Sequence, residues 1–173
     1  MTVDPNLFEQ NYYRLAYLFS LFTVPYMRNI YREFEGDMLL NIVVGEIGTR
    51  NVSQFFKSAN FETAKDSSSF EAKLDDVNEH QRLLRPCNAL SISDATGIPR
   101  ETVRRKVNAL IKKGWVQQNE RGHLYLTPKV AKHFENFLLT SIESLLPSAQ
   151  ALVEVLAKPS AEEHRSGKSG KPA

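Results

Sequence analysis

Residues 88–128 read NALSISDATGIPRETVRRKVNALIKKGWVQQNERGHLYLTP, and the local signals in this stretch decide the fold class. Asn88 suits the N-cap of a short helix over Ala89–Thr96, with Ile92 and Ala95 facing inward. Gly97 can end that helix, because a tight turn between two helices needs a positive φ. Ile98 supplies an apolar plug for the turn. Pro99 then opens the next helix, where its missing N–H forfeits no bond.

The second helix is predicted over Arg100–Lys113. Val103, Val107, Leu110 and Ile111 fall at i, i+4, i+7 and i+8, a single apolar stripe. An advance of ~100° per residue puts Glu101, Arg105, Asn108 and Lys112 on the opposite face. Arg100 projects from the N-terminal tip, and Thr102, Arg104 and Lys106 flank the exposed stripe. Lys112 and Lys113 suit the negative C-terminal end of the helix, and Gly114 closes it. Strands over Trp115–Gln118 and His123–Thr127 bracket a turn at residues 119–122, with Leu124 and Leu126 alternating with Tyr125. A hairpin this small cannot stand alone and must pack on the helices. Helix, tight turn, helix and hairpin predict a mainly α chain with a small β-hairpin. The arrangement expected is a winged helix-turn-helix flanked by N- and C-terminal helices.

Basic charge is concentrated in the same region. The whole chain carries +2, yet residues 82–133 hold 11 basic against 3 acidic side chains, a local +8. The flanking blocks, residues 1–81 and 134–173, carry −5 and −1. A basic block between acidic ones is the electrostatic footprint of a polyanion-binding module. Solvated surfaces also carry charge runs, so charge alone decides little. The second helix is more telling, with six basic residues against Glu101 alone. That imbalance favours DNA over protein-only binding.

Before this module the pattern is helical from Asn6 to about Phe34, with a kink or break expected at Pro25. The apolar surface of this first helix runs well round it, so most of its sides need cover, part of which a second subunit could supply. A second helix is expected from Gly36 to about Phe56, with Leu39, Ile42, Val43, Ile47 and Val52 on one side. Gly45 and Gly48 within it allow either a close helix crossing or a break. Residues 57–69 read as a loop and residues 70–84 as a third helix. After Pro128 an amphipathic helix is expected from about Lys129, with a new turn or bend at Pro147. The tail, residues 158–173, has the Gly, Ser, Pro and charge content of a disordered segment. The expected division is therefore an N-terminal helical region for core and dimerisation (1–70), a DNA-binding domain (71–128), a dimerisation helix (129–157) and the tail.

The run Ser91–Val116 resembles the DNA-binding helices of bacterial winged-helix transcriptional regulators. Its Gly97-Ile-Pro-Arg-Glu-Thr-Val103 piece is similar to both IclR-type and catabolite-activator-type regulators. The flanking helices resemble the MarR type, in which terminal helices form the dimer interface. The sequence shows neither the nucleotide-binding β-roll of the catabolite-activator type nor the large effector domain of the IclR type. A helix of this kind enters the major groove with its N-terminal residues nearest the base edges. There Arg100 and Arg105 can each make bidentate bonds to guanine, and Glu101 can accept from cytosine N4. The resemblance implies base reading by Arg100, Glu101 and Arg105 and a phosphate contact by Thr102. The candidate base-contacting set is thus Arg100, Glu101, Arg104, Arg105 and Asn108. The candidate backbone-contacting set is Thr102, Lys106, Lys112 and Arg121, with Lys113 meeting phosphate or solvent. His123 reads as a strand-surface residue.

Other function classes find no support in the residues. No HExxH, GxSxG, P-loop or CxxC pattern occurs, and His80, His123, His133 and His164 are scattered. No enzyme activity, metal or cofactor is expected. The single cysteine, Cys87, fits a reducing compartment and reads as a small buried residue. The acidic, polar start lacks a signal-peptide pattern, and the apolar run Leu15–Met27 is too short to span a bilayer. The expected location is the cytoplasm. Tyr12, Tyr13, Tyr17, Phe19, Phe22 and Tyr26 could line a pocket for an unidentified effector, but aromatic stripes at helical spacing are more often core. The expected partners are double-stranded DNA, as an inverted repeat, and a second copy of the chain. The alternative is a protein–protein adaptor that never touches DNA.

Overall fold

The computed structural model describes residues 3–58 and 84–157. Of the loop expected at 57–69, residues 57 and 58 are helical and the rest lies outside the described residues. Residues 70–83 of the helix expected over 70–84 and the tail at 158–173 lie outside them as well, and the last residue of that helix, Leu84, is not helical. The first helix starts where Asp4 caps it, its carboxylate accepting from the Asn6 N–H (2.9 Å), with Pro5 at N1. This helix, α1 (Pro5–Gln10), stops at Asn11. The Asn11 amide side chain donates to the Leu7 carbonyl (2.9 Å), a local bond that competes with helix continuation. α2 (Tyr12–Glu33) then continues past Pro25, which lies inside it. Of the kink or break expected at Pro25, the break does not occur; the chain breaks at Asn11 instead.

Glu35 and Gly36 both adopt positive φ (52° and 85°), reversing the chain in two left-handed steps. A Cβ on Gly36 would lie 3.2 Å from the ring of Tyr31, which is exposed and can shift, so it is the positive φ that favours glycine there. Asp37 then starts α3 (Met38–Ser58), its carboxylate accepting from the Leu40 N–H (3.0 Å). The buried stripe of α3 is Leu40, Val43, Val44, Ile47 and Asn51. This corrects the expected one, because Leu39 and Ile42 are exposed. Neither glycine breaks α3. A Cβ on Gly48 would sit 3.0 Å from Leu126, so Gly48 permits close approach to the hairpin, whereas Gly45 faces open space.

Downstream follow α4 (Ala89–Thr96), α5 (Arg100–Lys112), β1 (Val116–Gln118), β2 (Leu124–Leu126) and α6 (Pro128–Ala157). The architecture is mainly helical with one two-stranded antiparallel hairpin. Pro128 takes the first helical position of α6, and Pro147 lies inside the helix without ending it, so of the new turn or bend expected there the new turn does not occur. Among the described residues, no helix is long and apolar enough to cross a membrane.

The described residues divide into two compact units: 30–58 with 84–137, and 3–29 with 138–157. In the first, α3 packs on α4, α5 and β2, and α5 also packs on α4 and β1. Val43, Ile47, Ile92, Val103, Leu110 and Leu124 close its core, all fully or almost fully buried. Phe34, Trp115 and Phe134 form an aromatic cluster beside it, with ring centroids 5.2–6.0 Å apart. In the second unit few side chains are covered. Leu15 and Val155 are buried there, while Tyr13 is 88% exposed and Tyr17 is exposed as well. Of the aromatic stripe expected as core, Tyr12, Tyr13, Tyr17 and Phe19 are therefore exposed, while Phe22 and Tyr26 are half-buried and stacked on each other. Tyr12 and Phe19 help to line an open apolar groove of about 290 Å³.

Candidate functional site

The turn between α4 and α5 is built by short-range chemistry. Asn88 and Ser91 form a reciprocal capping box at the start of α4. Gly97 ends the helix at φ 71°, its N–H donating to the Ser93 carbonyl (2.9 Å). Ser93 Oγ donates to the Ile98 carbonyl (2.7 Å), and Thr96 Oγ1 accepts from the Ile98 N–H (3.2 Å). The Ile98 side chain is buried beneath. Ala95, expected to face inward, is exposed, because the eight-residue helix buries a single side chain, Ile92.

α5 presents two faces. Val103, Val107 and Leu110 are buried, while Glu101, Arg104, Arg105, Asn108 and Lys112 are exposed, with Arg100 at the tip. Its end is a Schellman motif: the Trp115 N–H reaches the Leu110 carbonyl (3.0 Å) and the Gly114 N–H reaches that of Ile111 (2.9 Å), with Gly114 at φ 71°. This fixes the exit of the chain into β1.

The hairpin pairs Val116 with Leu126 and Gln118 with Leu124. Asn119 holds its tip, the side-chain oxygen accepting from the N–H groups of Arg121 and His123 (both 3.0 Å). Gly122 takes φ 77°. Arg121 stands exposed at that tip and His123 is half-buried. Tyr125, expected to alternate outward, is buried. A third extended segment runs beside the hairpin: Cys87 bridges to Leu124, whose N–H donates to the Cys87 carbonyl (2.8 Å). The Cys87 thiol is buried, and desolvation pushes its pKa up to about 11, so it stays protonated and unreactive.

The basic residues of α5 divide by what they touch. Arg104 makes a two-bond fork onto Glu101 (2.9 and 3.0 Å) on the open surface. That hydrogen bond, with the guanidinium charge, holds the Glu101 carboxyl below its ordinary range. Lys106, expected at the DNA backbone, is turned inward instead. Its ammonium donates to Asp37 (2.6 Å), and its side chain is only 15% exposed. Lys113 lies over the Trp115 ring, 5.2 Å from its centroid. Among the described residues, no ion pair engages Arg100, Arg105, Lys112 or Arg121. Thr102 is half-buried beside them. The outward face therefore keeps Arg100, Arg105, Asn108 and Lys112 free, next to a mutually neutralised Glu101–Arg104 pair.

Two positioning residues went unread in the sequence. Asp37 caps α3 and grips Lys106 of α5, 69 residues away. Asn51, fully buried, donates to the carbonyls of Arg85 (2.9 Å) and Leu124 (3.2 Å) and accepts from the Leu126 N–H (2.8 Å). Asn51 ties α3 to β2 and to the segment entering α4. Its signal was present: it falls four residues after Ile47 on the buried stripe, where a polar side chain needs partners. Among the described residues, no cluster of three or more His, Cys, Asp or Glu side chains could hold a metal ion. No protein family, curated protein or solved structure matches the chain.

Proposed function

We propose that this chain is a sequence-specific duplex-DNA-binding transcriptional regulator, a winged helix-turn-helix whose α5 lies in the major groove and whose β1–β2 hairpin is the wing. One observation carries the reading: the outward face of α5 keeps Arg100, Arg105 and Lys112 exposed and free of ion pairs, opposite a fully packed apolar stripe. Uncompensated cations on an exposed helix suit an anionic groove wide enough to admit one. Arg100 and Arg105 would fork onto guanine O6 and N7, and Asn108 onto adenine. Glu101 would accept from cytosine N4, with Arg104 holding its carboxylate ionised and oriented. Thr102, Lys112 and Arg121 would meet phosphate. Lys106 drops out of the contact set, because Asp37 already holds it. With no second cysteine to pair, Cys87 suits a reducing compartment such as the cytoplasm.

Selection from a random duplex library, followed by titration of the enriched site at two salt concentrations, tests the reading. An enriched sequence bound with steep salt dependence supports it. Salt-sensitive binding without enrichment would make the chain a non-specific DNA binder. Absence of binding would reassign the face of Glu101, Arg105 and Asn108 to a protein partner.

A further inference from the structure

We propose that the start of α6 belongs to the DNA interface, with Lys129 and Lys132 gripping the phosphate backbone that flanks the groove occupied by α5. This rests on the duplex reading above and carries it beyond α4, α5 and the hairpin. Two hydrogen bonds seat α6 on the end of α5. Thr127 Oγ1 donates to the Gly114 carbonyl (2.7 Å), and the Lys129 ammonium donates to the Lys113 carbonyl (3.0 Å). That bond uses one of the three ammonium protons of Lys129, and two remain. Val130 is the buried side chain of this turn, whereas Lys129 and Lys132 are exposed. Three residues apart, the two lysines are neighbours on one face of the helix. Lys112, exposed on the last turn of α5, stands at the same end.

No acid answers these cations. Among the described residues, no ion pair engages Lys112, Lys129 or Lys132. Glu33, the carboxylate that reaches α6 here, bonds His133 instead (2.7 Å). The first turn of α6 carries no carboxylate of its own. A helix N-terminus favours acids over cations, and like charges three residues apart repel. Both lysines therefore sit against the local electrostatics of the free chain, and an anion alongside relieves both effects. Residues that break a local rule in this way belong where a partner completes the surface.

Dimensions choose the anion. α5, at 13 residues, is ~20 Å long, whereas the major groove is ~12 Å wide. With Arg100 and Arg105 at the base edges, the far end of a helix crossing the groove overhangs its wall. That wall is phosphate backbone, and Lys112, Lys129 and Lys132 stand at that end. An ammonium is a compact charge with rotatable donors, which suits a phosphate contact that holds position without reading sequence. Arginines near the tip of α5 would read bases, and lysines at its far end would hold the strand.

Titration of the full chain with the enriched duplex and its single-base variants, across a salt series, tests this. Each phosphate contact adds ~0.9 to the slope of log affinity against log salt. Lys129→Gln with Lys132→Gln should flatten that slope by ~1.8 and weaken every duplex at least ~10-fold at ~0.1 M salt, with base preference unchanged. Lys132→Gln alone, which removes no bond to a described residue, should flatten it by ~0.9 at an unchanged Tm. It decides the matter if loss of the Lys129 bond disturbs the seat on α5. Lys129→Arg with Lys132→Arg keeps both charges and should keep the wild-type slope. If the double glutamine variant matches the wild type in slope and affinity while Arg105→Ala loses specific binding, this interface is overturned and the duplex reading stands. Base preference relaxed as far as by Arg105→Ala would overturn the phosphate assignment. A wild type that binds no duplex at any salt would remove both.

Discussion

Replacing Asn51 by Ala should be among the most damaging single changes in this chain, although Asn51 lies on the buried side of α3. Its side chain is fully buried and makes three hydrogen bonds, two as donor and one as acceptor. The substitution takes one hydrogen bond from each of the Leu126 N–H and the carbonyls of Arg85 and Leu124. Each abandoned buried group costs ~1–3 kcal/mol. The Leu124 carbonyl keeps only a distant thiol, Cys87 Sγ at 3.9 Å. The lost amide atoms also leave a small cavity worth ~1 kcal/mol. With each of the three groups at the low end of that range, ~1 kcal/mol, the total with the cavity is ~4 kcal/mol, which for a unit of this size lowers Tm by roughly 15–30 °C. Urea unfolding followed by the fluorescence of the single tryptophan, Trp115, measures it directly. The slope with denaturant should stay unchanged, because the surface exposed on unfolding is the same. A loss below ~1 kcal/mol would refute the argument, since waters or backbone shifts would then be satisfying all three groups. Because Asn51 anchors β2, the same variant should also loosen the hairpin that carries Arg121.

Arg105→Ala should cost ~1–3 kcal/mol at an enriched site and relax the base preference there, read by competition titration against single-base variants. Lys112→Ala should instead weaken all duplexes alike and reduce the salt slope by ~1. Lys106→Met should act mainly on stability, losing ~1–2 kcal/mol with the Asp37 bond, and the salt slope of DNA binding should stay at the wild-type value. Cys87, raised from 9.0 to about 11 by burial, should label at pH 8 at least ~100-fold more slowly in the folded chain than in denaturant. The folded state holds that proton more tightly, so this group's effect runs one way: stability falls as pH rises from 9.0 towards about 11, which alkaline urea melts would detect. Gly45→Ala should stabilise by ~0.5–1 kcal/mol, because a Cβ there meets nothing within 4 Å and the helix loses a flexible residue.

The parts legible in the sequence are those settled by residues within a few positions of one another. Asn88, Gly97, Pro99 and Gly114 each act on their own turn, so α4, α5 and the reversal between them follow from local rules. The stripe of Val103, Val107 and Leu110 follows from spacing alone. What escaped required knowledge of neighbours remote in sequence. α3 carries apolar residues at 39–40 and again at 42–44, so two stripes fit its sequence, and only its packing on α4, α5 and β2 selects Leu40, Val43 and Ile47. Tyr125 alternates correctly for an isolated hairpin, yet it is buried in the packed unit. Pro25 and Pro147 break a local rule and sit inside helices. Asn11, a weaker breaker, ends α1 through a side-chain bond that spacing does not show.

The same distinction bears on how a basic helix should be read. Six cations on one short helix suggest six potential phosphate or base contacts, but a count treats every charge as equally available. Lys106 is held by an acid at the start of another helix, Arg104 by Glu101 one turn away, and Lys113 lies over Trp115. Those three do structural work in the free chain, and recruiting Lys106 would mean stripping Asp37 of its partner in a half-buried setting. The cations left over, Arg100, Arg105 and Lys112, lie on the face opposite the buried stripe, so one helical period sets both the packing and the exposed charge. DNA binding by α5 would therefore depend less on how many charges the helix carries than on which of them the fold leaves out of an ion pair.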